Sequence, residues 1–146
     1  MYFEDLQLNK PIKLSKTIVD KDEMISFSKR FNNIPLHTDE EYAKTTKFGQ
    51  IIAPGLLTYL LVWADYVQND FFGDELIAGK STKIEWFKPV FAGDVLSGEA
   101  EITALSEKGK HSGIAELTIR AYNQNGDLVM SGITEAVVKK NNILEI

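Results

Sequence analysis

From Leu56 to Val67 the chain is apolar on nearly every side: Leu56, Leu57, Tyr59, Leu60, Leu61, Val62, Trp63, Ala64, Tyr66 and Val67. Its polar exceptions, Thr58 and Asp65, share one face of a helix. A helix of this kind, opened by Pro54-Gly55, has to be buried on most sides. The rest of the chain offers a way to bury it. After Gly73 come four segments rich in β-branched and aromatic residues, at Leu76–Phe87, Val95–Leu105, Ile114–Tyr122 and Leu128–Val138. Gly109 marks one reversal, and Asn125-Gly126 is a strong hairpin signal. The pattern predicts an α+β architecture. A long central helix is wrapped by an antiparallel meander, apolar inside and polar outside.

The first third of the chain reads as shorter pieces. Ile12–Val19 is an entry strand. Asp20 and Glu23 have the spacing of a capping box for a helix through Phe31, with Met24, Phe27 and Phe31 on one face. Pro35 disfavours helical geometry at Ile34, so Asn32–Pro35 ends that helix. Thr38 and Glu41 form a second capping box, for a short helix to about Thr45. No repeat, low-complexity stretch or linker interrupts the 146 residues, which predicts one domain over 1–146.

Composition excludes several classes of chemistry. Without cysteine there is no disulfide, thiolate metal site or cysteine nucleophile. The two histidines, His37 and His111, are far apart and have no HExxH spacing, so no metal is expected. The net charge is −5, with no basic run to track a phosphate backbone, which argues against a nucleic-acid partner. The acidic N-terminus has no apolar core of a signal peptide, and Leu56–Ala64 is too short to span a bilayer. A cytoplasmic protein with no membrane partner is expected.

Two features can carry chemistry. His37 sits in a turn and has a side chain suited to proton transfer near neutral pH. Pro54-Gly55 opens a helix, whose first backbone N–H groups can hold an anionic oxygen. Together they suggest acid/base chemistry beside a polarised carbonyl. Asn32 can orient water but cannot take up a proton as a carboxylate does. It also fits a helix end in a left-handed turn. Asp39 suits the first turn of a capped helix. Asp65 marks the wet end of the apolar helix, Asp94 belongs to a turn, and His111 carries no role.

Three ordered blocks resemble a known family. Asn32-Asn33-Ile34-Pro35-Leu36-His37-Thr38-Asp39 resembles the Asp-x-Asn-Pro-x-His-x-Asp motif of the MaoC-like dehydratases, which include the (R)-specific enoyl-CoA hydratases. Tyr42-Ala43 and Phe48-Gly49 continue the match. Ile52-Ala53-Pro54-Gly55-Leu56-Leu57 is similar to the family's Ile-Ala-His-Gly-Met-Leu segment, and Phe87–Asp94 to its Phe-x-x-Pro-Val-x-x-Gly-Asp segment. The chain departs from the pattern at four places. The family's catalytic aspartate falls on Asn32, its motif asparagine on Ile34, the histidine before the glycine on Pro54, and a helix serine on Trp63.

The resemblance implies a hotdog fold and reversible water addition to a trans-2-enoyl-CoA or enoyl-acyl-carrier-protein thioester, as in fatty acid metabolism. His37 becomes the acid/base, Asn32 positions water, and the Gly55 N–H polarises the thioester carbonyl. Ala53, Pro54, Tyr59 and Trp63 become substrate-binding residues, with the bulk of Trp63 shortening the acyl chain that fits. No cofactor is implied, because the CoA or carrier-protein arm belongs to the substrate. Family members form homodimers by pairing sheets edge to edge, and some form hexamers. With Asn32 in place of the aspartate, three further readings stay open. A second acid could be recruited from Asp39 or Asp65. The chain could be a hotdog thioesterase, or a catalytically weak acyl-thioester-binding protein.

Overall fold

The computed structural model describes residues 1–142, so the last four residues of the expected domain lie outside the described residues. Short strands β1 (Ile12–Lys13) and β2 (Thr17–Ile18) replace the single expected entry strand. Four helical pieces follow: α1 (Lys21–Phe31), α2 (Pro35–Thr38), α3 (Glu40–Lys44) and α4 (Gly55–Gln68). Four long strands complete the chain: β3 (Leu76–Trp86), β4 (Val95–Glu107), β5 (Ser112–Tyr122) and β6 (Leu128–Lys139). The sheet runs β1-β4-β5-β6-β3, antiparallel throughout, and β2 pairs with β4 as well.

Local chemistry accounts for the helix ends. The Asp20 carboxylate accepts from the Glu23 N–H at 2.9 Å, satisfying one orphan donor of α1. The second cap falls one residue later than expected. Pro35 starts a helical turn of its own, which places Thr38 inside α2, where its hydroxyl donates to the Ile34 carbonyl at 3.1 Å. A residue with helical backbone cannot cap the next helix, so Asp39 does so, accepting from the Tyr42 N–H at 3.0 Å. Phe31, expected on the buried face of α1, is exposed, while Met24 is fully buried.

One face of the sheet and one face of α4 make the core. Leu96, Ala100 and Ile102 of β4 alternate inward, as do Ala115, Leu117, Ile119 and Ala121 of β5. The opposite face is polar, with Arg120 bonding Glu101 at 2.8 Å. Gly98 and Gly132 let the helix settle onto the sheet. A Cβ on Gly98 would lie 2.8 Å from a Val62 methyl, and one on Gly132 would lie 2.7 Å from the Tyr59 ring.

The wrapping is less complete than expected. Leu57, Thr58, Tyr59, Val62 and Tyr66 of α4 are buried, but Leu56, Leu60 and Val67 are exposed. The edge strand β3 is exposed along almost its whole length, including Leu76, Ile77 and Trp86. A five-strand path curved over one side of a helix leaves the other side uncovered. No helix among the described residues is long and apolar enough to cross a membrane.

Candidate active site

The site is built on the stretch between α3 and α4. Ile51–Pro54 runs extended, held by Ile52 N–H to Leu36 O at 3.3 Å and Ala53 N–H to Val90 O at 2.8 Å. This places the Ile52 carbonyl against α2, where it lies 2.7 Å from Nδ1 of His37. A carbonyl only accepts, so Nδ1 carries the hydrogen of this bond and Nε2 is the ring nitrogen left for proton exchange. His37 is 6 % exposed. Its Nε2 has no partner among the described residues, yet no fully buried side-chain nitrogen or oxygen among them lacks one. Nε2 therefore opens on the cavity that His37 lines.

That cavity, about 560 Å³, brings together Asn32, His37, Ala53 and Gly55. Gly55 is the first residue of α4, and Pro54 before it provides no side-chain cap. The first-turn N–H groups of α4 therefore lack intrahelical partners, and the helix dipole adds to their pull on an anionic oxygen. Pro54 itself is fully buried, its carbonyl accepting from the Thr58 N–H at 3.1 Å. Asn32 ends α1 with φ −156° and ψ 63°, which is not the left-handed turn. Its amide side chain has no bond within the described residues. Lys47 and Lys88 also border the cavity, and Lys88 pairs with Asp127 at 3.2 Å.

The structure places the other candidates elsewhere. Trp63 lines a separate apolar cavity of about 170 Å³ toward the far end of α4, with Tyr66, Phe71, Phe72 and Leu117. Tyr59 stacks on Trp63 with ring centroids 5.6 Å apart, and its hydroxyl lies 3.2 Å from Oγ1 of Thr134. Burial raises the pKa of the Tyr59 phenol and, more strongly, of Tyr66. The Asp65 carboxylate accepts from the Ser15 N–H, and it lies about 15 Å along α4 from Gly55. Asp39 caps α3, and Asp94 accepts from the Phe91 N–H at 2.9 Å within a turn. His111 bonds Asn142 beside the β4–β5 reversal. Among the described residues no three histidine or carboxylate side chains gather to hold a metal.

Trp86 and Thr58 are among the residues of the His37 cavity that sequence reasoning missed. Trp86, at the end of β3, lays its indole over Gly55, where a Cβ would meet Cε2 at 2.3 Å. No sequence signal joins a strand tryptophan to a helix glycine. Thr58 lines the same cavity, and its signal was visible as a polar residue one turn into an apolar helix.

Comparison with known proteins bears on this arrangement. A family model described as a MaoC like domain matches residues 4–123. An (R)-specific enoyl-CoA hydratase of Aeromonas caviae is 34 % identical over 141 residues, covering 95 % of this chain and 98 % of the relative. A mitochondrial 3-hydroxyacyl-[acyl-carrier-protein] dehydratase of Solanum lycopersicum is 27 % identical, covering 91 % of this chain and 78 % of the relative. The solved monoamine oxidase regulatory protein of Archaeoglobus fulgidus superposes with a TM-score of 0.91 at 29 % identity, covering 97 % of this chain and 95 % of that one. With its helix laid across an antiparallel sheet and the match running over most of its length, the chain has the hotdog fold and belongs to the MaoC-like dehydratase family.

Proposed function

We propose that the protein adds water reversibly to trans-2-enoyl thioesters carried on CoA or an acyl-carrier protein, with the carrier arm part of the substrate and no metal or cofactor required. The observation that carries this reading is one cavity holding an imidazole with an open Nε2 and the uncapped start of α4. The thioester oxygen accepts from the Gly55 N–H. Water, held by the Asn32 amide, gives a proton to Nε2 of His37 as its oxygen bonds C3. The π electrons move toward the carbonyl, and the enolate charge collects where the helix N-terminus favours it. His37, now protonated, returns the proton to C2. An amide cannot share this duty, so one imidazole serves both steps. Ala53 bounds the acyl end, while the buried Pro54, together with Tyr59 and Trp63, shapes it through the position of α4.

Relatives named for CoA and for carrier-protein substrates both fit the chain, so the carrier class is assigned to the pair together. Lys47 and Lys88 at the cavity suit the phosphorylated arm that the two carriers share. The exposed β3 edge and the apolar stripe of α4 favour a homodimer closed through that side. A cytoplasmic setting accords with this chemistry.

The test is loss of enoyl absorbance from short trans-2-enoyl-CoA and enoyl-carrier-protein substrates, with a thiol-trapping reagent present. Hydration without free thiol is expected, and His37→Ala should lower the rate by about 10²–10⁴-fold. Thiol release would identify a thioesterase instead. Tight acyl-CoA binding with neither change would identify a binding protein.

A further inference from the structure

One hydroxyl on the first turn of α4 has no partner among the described residues. Thr58 is 1 % exposed, and its Oγ1 makes no hydrogen bond with any described residue. Every fully buried side-chain oxygen and nitrogen among those residues is paired, so this oxygen opens on the cavity that Thr58 lines, shared with His37 and Gly55. The usual refuge of such a group is the carbonyl four residues back. Ser28 takes it, bonding the Met24 carbonyl at 2.6 Å. For Thr58 that carbonyl belongs to Pro54 and, among the described residues, receives the Thr58 N–H rather than the hydroxyl. A hydroxyl that faces the cavity without a partner among the described residues keeps its hydrogen available to a ligand there.

Position decides which ligand atom that is. Thr58 lies three residues after Gly55, on the same helix face. Its Cα–Cβ bond tilts toward the helix N-terminus, so the side chain leans toward the uncapped first turn. Gly55 and Thr58 line the same cavity. We propose that Thr58 is a catalytic residue whose hydroxyl donates to the thioester oxygen beside the Gly55 N–H, so that two fixed donors share the enolate charge. The assignment rests on the hydratase reading above. The threonine keeps its proton throughout, because the proton that moves travels from water through His37 to C2.

Butanoyl-CoA labelled with ¹³C at the carbonyl has no double bond to hydrate, so its infrared carbonyl band reports polarisation in the bound state. In the parent protein this band should fall below its position in solution. Thr58→Val removes the hydroxyl and should return the band part of the way, while lowering kcat for enoyl-CoA hydration by about 10²-fold with KM little changed. Thr58→Ser should restore both. Thr58→Ala is the second deletion if the valine variant does not fold. A folded Thr58→Val with the parent's band and kcat overturns the assignment and leaves the hydratase reading standing. A variant that loses kcat but keeps the band overturns the donor role as well. A parent protein that neither binds butanoyl-CoA nor hydrates any enoyl thioester overturns the hydratase reading, and the assignment falls with it.

Discussion

A single hydrogen bond sets the chemistry of His37. The Ile52 carbonyl takes the Nδ1 hydrogen, and the ring can then act only through Nε2. Asn32 faces the same cavity with an amide where proton uptake would need a carboxylate. Asn32→Asp should therefore raise the hydration rate by about 10²-fold, read as initial loss of enoyl absorbance. No gain in a folded variant that still binds acyl-CoA would show that the cavity is not arranged for hydration. Gly55 is constrained by its neighbour rather than by its backbone. A methyl there would lie 2.3 Å from the Trp86 ring, so Gly55→Ala should destabilise by about 1–3 kcal/mol in denaturant unfolding. Paired with Trp86→Ala it should cost less than the two changes summed, since the clash is then gone. Additive costs would mean that the indole swings aside freely. His37 and Gly55 were visible in the sequence because turn and helix-start signals are local. The Gly55–Trp86 contact was not, because it joins residues on different elements.

At the scale of the element, α4 shows how helix and sheet were matched. Val62 and Tyr59 approach the sheet where β4 and β6 carry glycine. The same packing encloses the Tyr59 and Tyr66 phenols, and burial raises both pKa values above the ordinary 10.0. A group whose folded pKa is raised contributes stability that is intact below its unfolded value and is lost as pH rises beyond it. Thermal unfolding should accordingly be insensitive to these tyrosines at neutral pH and should fall in midpoint above about pH 10. The double variant Tyr59→Phe, Tyr66→Phe should lose much of that alkaline drop. An unchanged slope would assign the drop to other groups. The long strands and both long helices were legible from periodicity, since alternation and apolar runs are properties of the chain itself. The cap of α3 was misplaced by one residue because Pro35 can either end one helix or begin another. Only the chain's path decides which.

For the whole molecule, the open side is the dominant feature. Leu56, Leu60 and Val67 of α4 and Leu76, Ile77 and Trp86 of β3 are exposed, and the outer edge of β3 has no strand partner among the described residues. An edge of this length invites pairing. Sedimentation should give a homodimer, and Leu60→Glu combined with Ile77→Lys should shift it to monomer by placing charge on both apolar elements. A parent protein that sediments as a monomer at micromolar concentration would overturn the homodimer.

What the sequence determined alone was whatever depends on neighbours along the chain: the order of elements, their approximate ends, the apolar helix, the absence of cysteine chemistry, and the histidine and glycine that carry the resemblance. Tertiary structure decided what depends on distance through space. It set which nitrogen of His37 is left for chemistry, placed Thr58 on the cavity wall, and sent Trp63 to a different cavity. It also left one side of α4 uncovered. The reason is that hydrophobic periodicity specifies that a face is buried, but not what it is buried against.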